Sequence, residues 1–390
     1  VSETITETAI ETTVEESPEE SSGENIFAEE SSEEVSSEEM TEEESTEEIE
    51  EETTEFEYGI DFLDLGDVTQ IIQILSCRIE GSQVIVKGKL NHKFKTADEK
   101  LYLFEEPMYQ KDITGSPIAD VKKEDTFEFS VPPNNNTAQS KLYSKFFVGM
   151  KFRDGTYQAL SDGCFITNPE ALAENQSSYP QARSKKGLLT DTVFGTDIEE
   201  LGLSYTNVNI IMNELINGSG YSYTYNGKTY HFNGLYGYVY LVQQCNAKGI
   251  QVTAQISIDR NASTQSFITG NSPYAETAYY GWNTDNTASR QKMEAMFAYL
   301  SEIFGSNDCY VSNWILGNEV NIPNTYNYCG TLDLNTNASI YAATFIQLYN
   351  ALQNLNPGAR AYIPFDHNWT SNEKGKGIAA KNYLTAFWQA

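Results

Sequence analysis

Hydrophobic and polar positions follow two different patterns along the chain. Between residues 67 and 168, short runs such as SQVIVKGKL and DTFEFSVP are rich in β-branched and aromatic residues, and turn-forming pairs such as Asp154-Gly155 separate them. Strands at this spacing are typical of a sandwich of two antiparallel sheets. The sequence therefore predicts a β-sandwich domain over residues 67–168.

The second pattern begins after a connecting segment at residues 169–186. In it, strand-like stretches alternate with helix-like stretches. The predicted strands cover residues 182–189, 205–212, 250–258, 310–317 and 359–366. Helical patterns separate the later strands, and an Asn226-Gly227 turn predicts a hairpin inside one connection. Such alternation indicates parallel βα units. Because a complete (β/α)₈ TIM barrel takes eight strands and about 250 residues, residues 187–390 are predicted to form an α/β barrel that is truncated after about five strands.

Charge divides the chain as clearly as hydrophobicity does. The net charge is −31, but residues 1–57 alone carry 24 glutamates and no lysine or arginine. This Glu/Ser/Thr-rich tract cannot bury enough apolar surface to offset its ordering entropy, so residues 1–66 are predicted to be disordered, as a spacer or as an inert tail. The remainder has a net charge of about −7. No basic cluster is present in it, and a nucleic-acid partner is therefore excluded.

Cysteine and hydropathy patterns restrict the chemistry and the location of the chain. Its five cysteines have no metal-ligand spacing, so they are interpreted as buried thiols, with a Cys309–Cys329 bridge as the alternative. No apolar run is long enough for a membrane span. The chain begins with Val1 rather than Met, and we expect a fragment or processed form whose export signal lies outside this sequence.

One stretch, YVSNWILGNEVN at Tyr310–Asn321, carries the main chemical hypothesis. An apolar run ends at Gly317, and Asn318 and Glu319 follow at once. The pattern predicts a buried parallel strand with a carboxylate at its carboxyl end, the end that forms the active-site face of an α/β barrel. There a carboxyl group is able to transfer a proton to a glycosidic oxygen while the neighbouring amide binds a sugar hydroxyl.

Polar residues at the other predicted strand ends are candidates for the same face. As substrate-binding residues we assign, beside Asn318, the side chains of Asn209, Asp259, Asp366, His367 and Trp369. Asn207 and Ser257 are expected to line the face with them. Each has a local alternative, because Asn and Asp often cap the following helix and a Trp often packs in a core. No cluster of ligands indicates a metal, and no glycine-rich loop indicates a phosphate cofactor, so none is predicted.

An Asn-Glu pair that closes the fourth strand of a βα series resembles clan A of the glycoside hydrolases, which are retaining (β/α)₈-barrel enzymes. The resemblance implies that Glu319 is the general acid/base and that Asn318 contacts the 2-hydroxyl of the sugar. The segment from Ser184 to Trp369 also resembles an uncharacterised family of large secreted bacterial proteins with glycosidase-like barrels. The matching motifs are KKGL, WILGNEVN and FDHNWT.

The sequence departs from clan A in one respect, because the nucleophile there is a Glu that ends a seventh strand, and no seventh strand is present. We expect the nucleophile in a missing C-terminal portion and expect the fragment as given to be inactive. The leading hypothesis is a secreted, extracellular or cell-surface bacterial enzyme that hydrolyses O-glycosidic bonds of a polysaccharide or glycan.

Two further hypotheses compete with that of an enzyme. One is a non-catalytic barrel that binds glycans or serves as a surface scaffold, with possible association with the cell wall. The other is an adhesion or spacer protein in which the acidic tract and the sandwich are the functional parts. The sandwich itself is either a carbohydrate-binding module or a structural accessory domain, and the sequence has no aromatic cluster that favours the former.

The composition of the acidic tract makes a testable prediction. Limited proteolysis is expected to remove residues 1–66 by cleavage between Tyr58 and Asp67, because a segment without a core offers no protection. The melting temperature of the remainder, followed by circular dichroism, is expected to stay nearly unchanged. A fall of several degrees after cleavage would mean that the tract packs against the folded part.

Overall fold

The structure, a computed structural model, describes residues 68–390 apart from 109, 136, 138, 174–177, 190–195, 217–219, 261–263, 269–276, 283–286 and 373–376. The predicted disorder of residues 1–66 lies outside the described residues.

The first part of the described chain consists of two antiparallel sheets. Its strands are β1 Ile72–Glu80, β2 Gln83–Leu90, β3 Lys100–Pro107, β4 Ala119–Lys122, β5 Thr126–Val131, β6 Ser144–Lys151, β7 Tyr157–Ala159 and β8 Cys164–Phe165. One sheet has the order β1-β2-β5, and the other has the order β4-β3-β6-β7 with β8 paired to β6. Phe127 and Phe129 of β5 point inward at alternate positions and share one core with Leu103 and Val148 of the opposite sheet.

The second part alternates strands and helices. Its elements are β9 Gly187–Leu189, α1 Asp197–Glu200, β10 Tyr205–Ile211, α2 Met212–Ile216, β11 Tyr221–Tyr225, β12 Lys228–Phe232, α3 Tyr236–Ala247, β13 Gln251–Ser257, α4 Thr287–Ile303, β14 Gly305–Ser306, β15 Cys309–Tyr310, β16 Asn313–Leu316, α5 Leu334–Leu355, β17 Arg360–Tyr362 and α6 Ala380–Gln389. Short 3-10 turns cover Val68–Gln70, Pro169–Leu172 and Gln265–Phe267.

Five of these strands form one parallel sheet in chain order, β9-β10-β13-β16-β17. The mixed α/β class is therefore confirmed, and each strand lies beside its predecessor, as in βα repeats. Among the described residues the sheet does not close into a barrel, since β9 and β17 form its two edges. The predicted hairpin is also present as β11–β12, and its turn residues Asn226 and Gly227 both have left-handed backbones, with φ of +46° and +72°.

Two predicted strands are shorter than expected for identifiable reasons. Residues 305–310 form the small hairpin β14–β15, so β16 begins only at Asn313. The fifth strand stops at Tyr362 because Pro364 has no N–H for a ladder, and its carbonyl accepts a hydrogen bond from Val320 instead. Helix α5 starts at Leu334, where Asp333 caps it by accepting a hydrogen bond from the Thr336 amide.

The two faces of the parallel sheet differ in chemistry. Val208, Ile256 and Trp314 are buried in a core that they share with residues of α4 and α5. The alternate positions, Asn209 and Gln255 among them, lie opposite one another in register and remain partly or fully exposed. The sheet is therefore covered by helices on one side, and its other side is polar.

The connecting segment fastens the amino ends of three strands of this sheet. The Tyr179 hydroxyl donates to Asn313 Oδ1 over 2.9 Å, and the Arg360 guanidinium lies 3.6 Å from the centre of the Tyr179 ring. Gln251 Nε2 donates to the carbonyl of Pro180 over 2.8 Å. Residues 179 and 180 thus occupy the end of the sheet opposite the carboxyl ends of the strands.

The five cysteines are free thiols, so Cys309 and Cys329 are not bridged and the alternative of a disulfide between them is wrong. Four of the thiols are buried, and Cys164 is half-buried. Within the described residues, no helix is long and apolar enough to cross a membrane.

The sandwich meets the helical layer at a cluster of tyrosines around a buried carboxyl group. Tyr143 after β5 packs edge-on against Tyr225 of the hairpin, with ring centres 5.6 Å apart. The Tyr225 hydroxyl donates to Glu294 Oε1 of α4 over 2.8 Å. Burial raises the pKa of Glu294 to about 7, and the hydrogen bond from Tyr225 only partly opposes this shift.

The raised pKa of Glu294 makes stability depend on pH. The pKa of a glutamate is ordinarily 4.5, whereas the folded protein holds the Glu294 proton up to about pH 7. The free energy of unfolding therefore falls as pH rises between these values. The proton bound by the folded state contributes about 3 kcal/mol to this free energy below pH 4.5. Glu294→Gln is expected to remove it, so that the variant gains this amount over the parent from pH 4.5 to 7. Urea unfolding at several pH values measures the difference, and a constant difference would contradict the buried carboxyl group.

Candidate active site

The loop after β16 begins with a sharp turn at the carboxyl end of the strand. The Gly317 amide still pairs with the carbonyl of Ile256 over 2.6 Å, but its φ of +78° is in the left-handed region. A Cβ at this position would lie 3.4 Å from Val320 and is disfavoured by the backbone as well. From the helical side, the Tyr341 hydroxyl of α5 donates to the carbonyl of Leu316 over 2.7 Å. The strand end is therefore fixed by the sheet and by the helix.

Glu319 lies two residues further on and has an unusual backbone. Its φ of +37° is left-handed, which costs a residue other than glycine roughly 1–2 kcal/mol. The side chain is half-buried, and among the described residues no hydrogen-bond or ion-pair partner contacts its carboxylate. Strained backbones of this kind cluster at functional sites, and the catalytic role of Glu319 stays a prediction.

The loop around Glu319 is held by buried amides. Asn327 Nδ2 donates to the carbonyl of Val320 over 3.3 Å and to Asn337 Oδ1 over 2.9 Å. The Tyr383 hydroxyl of α6 donates to the same Asn337 oxygen over 2.7 Å. This network joins the loop to α5 and α6 at Val320, one residue after Glu319.

Asp366 occupies the end of the fifth strand region but is engaged on both oxygens. Asn321 Nδ2 and the Asn368 amide donate to Oδ1, over 2.8 and 3.0 Å, and Asn368 Nδ2 donates to Oδ2 over 2.7 Å. Desolvation raises the pKa of Asp366, but these hydrogen bonds outweigh it and the net shift is downward. Asp366 is thus ionised, and its hydrogen bonds connect two loops. Its role in substrate binding stays a prediction.

The second and third strands end in polar loops that contact each other. Asn213 Oδ1, after β10, accepts a hydrogen bond from the Asp259 amide over 3.2 Å. The exposed Asp259 side chain accepts from the Arg260 amide over 2.6 Å. On β10, Asn207 Nδ2 donates to Oδ1 of the exposed Asn209 over 3.1 Å. Asp259 and Asn209 stay predictions as substrate ligands, and Ser257 is buried beside them.

The remaining predicted residues are accessible. Asn318 is half-buried, and His367 is exposed. Trp369 is 51% exposed, while its carbonyl accepts a hydrogen bond from the Lys381 amide at the start of α6. An exposed indole with a fixed backbone offers an apolar face beside the strand ends. No described residue is in a group of three or more potential ligands for a metal ion.

Several residues that organise the site were not predicted from the sequence. These are Asn213, Asn321, Asn327, Asn337, Asn368, Tyr341 and Tyr383. Only Asn321 and Asn368 had a signal, because both belong to the motifs that follow β16 and β17. The others lie in loops or helices where asparagine and tyrosine are common, and no local pattern identifies their partners.

The chain belongs to the family of unknown function DUF5722, which matches residues 178–390, more than half of the chain. The match contains all the strands of the parallel sheet and every candidate site residue. No curated protein matches the chain.

The solved structures that match the chain include glycoside hydrolases. They include a calcium-binding mutant of Bacteroides uniformis β-glucuronidase 2 at 12% identity and a TM-score of 0.27, covering 76% of this chain and 33% of that one. A family 39 glycoside hydrolase from Bacteroides cellulosilyticus matches at 12% identity and a TM-score of 0.29, with coverages of 75% and 47%. A Parabacteroides merdae β-glucuronidase matches at 10% identity and 0.25, with coverages of 75% and 33%.

The chain spans a third to about half of the length of these structures. TM-scores below 0.3 are too low to carry a conclusion about this chain.

The left-handed backbone of Glu319 makes a prediction about stability. Glu319→Gly is expected to be more stable than Glu319→Ala by about 1 kcal/mol, because glycine adopts this conformation without a steric penalty. Chemical unfolding of both variants measures the difference directly. An alanine variant as stable as the glycine variant would mean that the backbone at this position is not left-handed.

Proposed function

We propose that the chain is the glycosidase-like part of a secreted glycoside hydrolase that cleaves O-glycosidic bonds of a polysaccharide or glycan. The observation that carries the proposal is the position of Glu319. It is a half-buried carboxylate without a partner among the described residues, at the carboxyl end of the fourth of five parallel strands. This is the end at which α/β barrels bring their catalytic groups together.

The chemistry assigned to Glu319 is general acid/base catalysis in two steps. Its carboxylic acid first donates a proton to the glycosidic oxygen, so that the leaving sugar departs as a neutral alcohol. In the same step a nucleophilic carboxylate attacks the anomeric carbon and forms a covalent glycosyl-enzyme intermediate. The Glu319 carboxylate then removes a proton from water, which displaces the enzyme carboxylate and regenerates both groups. Asn318, directly before it, is assigned to the 2-hydroxyl of the bound sugar.

A retaining mechanism needs a second carboxylate about 5 Å from the first. Asp366 is not suited to this role, because both of its oxygens accept hydrogen bonds from Asn321 and Asn368. We therefore assign the nucleophile to a carboxylate outside the described residues. By the same proposal, further strands close the sheet into a (β/α)₈ barrel, and its polar face, with Asn209 and Gln255, becomes the interior.

Aromatic and imidazole groups beside the strand ends support a carbohydrate as the substrate. The exposed Trp369 presents an indole face on which the apolar side of a sugar ring is able to stack. The exposed His367 next to it has a ring that both donates and accepts hydrogen bonds when neutral. The proposed location is extracellular or on the cell surface, where polymeric glycans are encountered.

The test of this function is Glu319→Gln in the full-length protein. Loss of the acid is expected to reduce hydrolysis of substrates with poor leaving groups by roughly 10²–10⁴-fold, about 3–5 kcal/mol of barrier. Activated aryl glycosides need little protonation and are expected to lose much less. The measurement is kcat/KM on both substrate types, with Glu199→Gln on α1 as a control that removes a distant carboxylate.

Three outcomes separate the alternatives. A large loss confined to poor leaving groups supports the acid/base role. Equal, small losses on both substrate types would remove Glu319 from the chemistry. Binding of glycans without any hydrolysis by the full-length parent protein would instead favour a non-catalytic glycan-binding or scaffold protein with a glycosidase-like fold.

A further inference from the structure

Two adjoining cavities lie where the sandwich meets the β11–β12 hairpin and the helices α4 and α5. Their volumes are about 300 and 500 Å³, within the range of small-molecule sites. Both are lined by Ser140, Tyr143, Tyr225 and Asn226. We refer to the two cavities with these shared walls as the junction cleft.

Tyrosine rings form one side of the junction cleft. Tyr223 and Tyr225 are nearly parallel, with ring centres 6.4 Å apart and an angle of 12° between their planes. Tyr143 meets Tyr225 edge-on, and Tyr299 of α4 packs edge-on against Tyr223. Each ring is held in place by another, so the aromatic wall is rigid before any ligand arrives, which lowers the entropic cost of binding.

Hydrogen-bond acceptors lie at the hydroxyl ends of these tyrosines. Tyr225 donates to Glu294 Oε1 and Tyr223 donates to Glu302 Oε1, each over 2.8 Å. Asn354 of α5 lines the larger cavity and is only 7% exposed, yet among the described residues its Oδ1 has no hydrogen-bond partner. A buried acceptor without a partner costs free energy, and a hydroxyl group entering the cavity would supply the missing hydrogen bond.

The charge of the lining selects against anionic ligands. Carboxylates of Glu105, Glu106 and Glu302 line the two cavities, against one cationic side chain, that of Lys228, while the Glu294 carboxyl group, with its pKa raised to about 7, stays neutral below that pH. Lys228 lies over the Tyr230 ring, 5.4 Å from its centre. A ligand that donates hydroxyl hydrogen bonds to acceptors and stacks C–H faces on tyrosines, without negative charge, fits this lining.

The junction cleft is distinct from the strand-end site. Helices α4 and α5 run against the direction of the parallel strands, so their last residues lie near the amino ends of the strands that follow. Glu302 and Asn354 belong to these last turns, whereas Glu319 follows the carboxyl end of β16. The two sites are therefore at opposite ends of the βα units.

We propose that the junction cleft is a non-catalytic binding site for a short stretch of neutral saccharide, held against the tyrosine wall with its hydroxyl groups directed to the acceptors of Glu294, Glu302 and Asn354. The sandwich contributes Tyr143 and Ser140 to this site, so it is part of a composite site rather than a separate binding module. This inference goes beyond the proposed hydrolase and does not depend on Glu319.

The test uses the Glu319→Gln form of the protein, so that bound sugars are not hydrolysed. Cellotriose, xylotriose and mannotriose serve as neutral probes, with trigalacturonate and trilysine as the anionic and cationic comparisons, and saturation-transfer NMR titration measures binding. At least one neutral trisaccharide is expected to bind more tightly than both charged probes. Ser140→Trp places an indole in the space beside the lining that the two cavities share, and it is expected to weaken this binding about tenfold or more.

Two further variants complete the design. Gln139→Trp places the same indole one residue away, outside the cleft lining, and is expected to leave binding unchanged. Asn354→Leu removes the unpaired acceptor at similar volume, and it decides the question if Ser140→Trp does not fold. The proposal is overturned if no neutral probe binds, if a charged probe binds more tightly, or if both cleft variants leave neutral-probe binding unchanged.

Discussion

The hydrogen bonds of Asn321 control the geometry of the strand-end site. Its fully buried side chain donates to Asp366 and to the carbonyl of Ile378, and it accepts from the Asp366 amide. One amide thus joins the loop after the fourth strand to the loop after the fifth and to the approach of α6. Because a buried amide is costly when any partner is lost, these loops hold one mutual arrangement. Glu319 lies two residues before Asn321, on the loop that these hydrogen bonds hold.

The parallel sheet explains why such a constraint is needed. Its helix-facing side is packed with residues such as Val208 and Trp314, but its other face is polar and partly exposed among the described residues. Apolar packing therefore fixes the strands from one side only. The strand ends depend on directional hydrogen bonds for their precision, from Tyr341 to Leu316 and from Asn327 to Val320. The density of buried asparagines near Glu319 follows from this need.

The sequence predicted what local patterns encode. The parallel order of the five strands follows from alternating strand and helix patterns, and the hairpin turn follows from Asn226-Gly227, which suits two left-handed residues. Strand lengths were missed where tertiary partners decided them, as at Pro364, whose carbonyl bonds Val320. In the candidate site, the position of Glu319 at a strand end was predictable, but its left-handed φ was not. The hydrogen bonding of Asp366 was equally unpredictable from the sequence, since one donor is Asn321, 45 residues away.

Carboxyl groups in this protein differ in task because their surroundings differ. Asp366 is ionised and accepts three hydrogen bonds across its two oxygens, so it holds loops together. Glu294 is buried against tyrosines, and its raised pKa of about 7 lets it switch between donor and acceptor near neutrality. Glu319 is half-buried, strained and unengaged by described residues. A proton-transfer group must exchange its proton with a substrate instead of a neighbour, and of the three carboxyl groups only Glu319 has the freedom to do so.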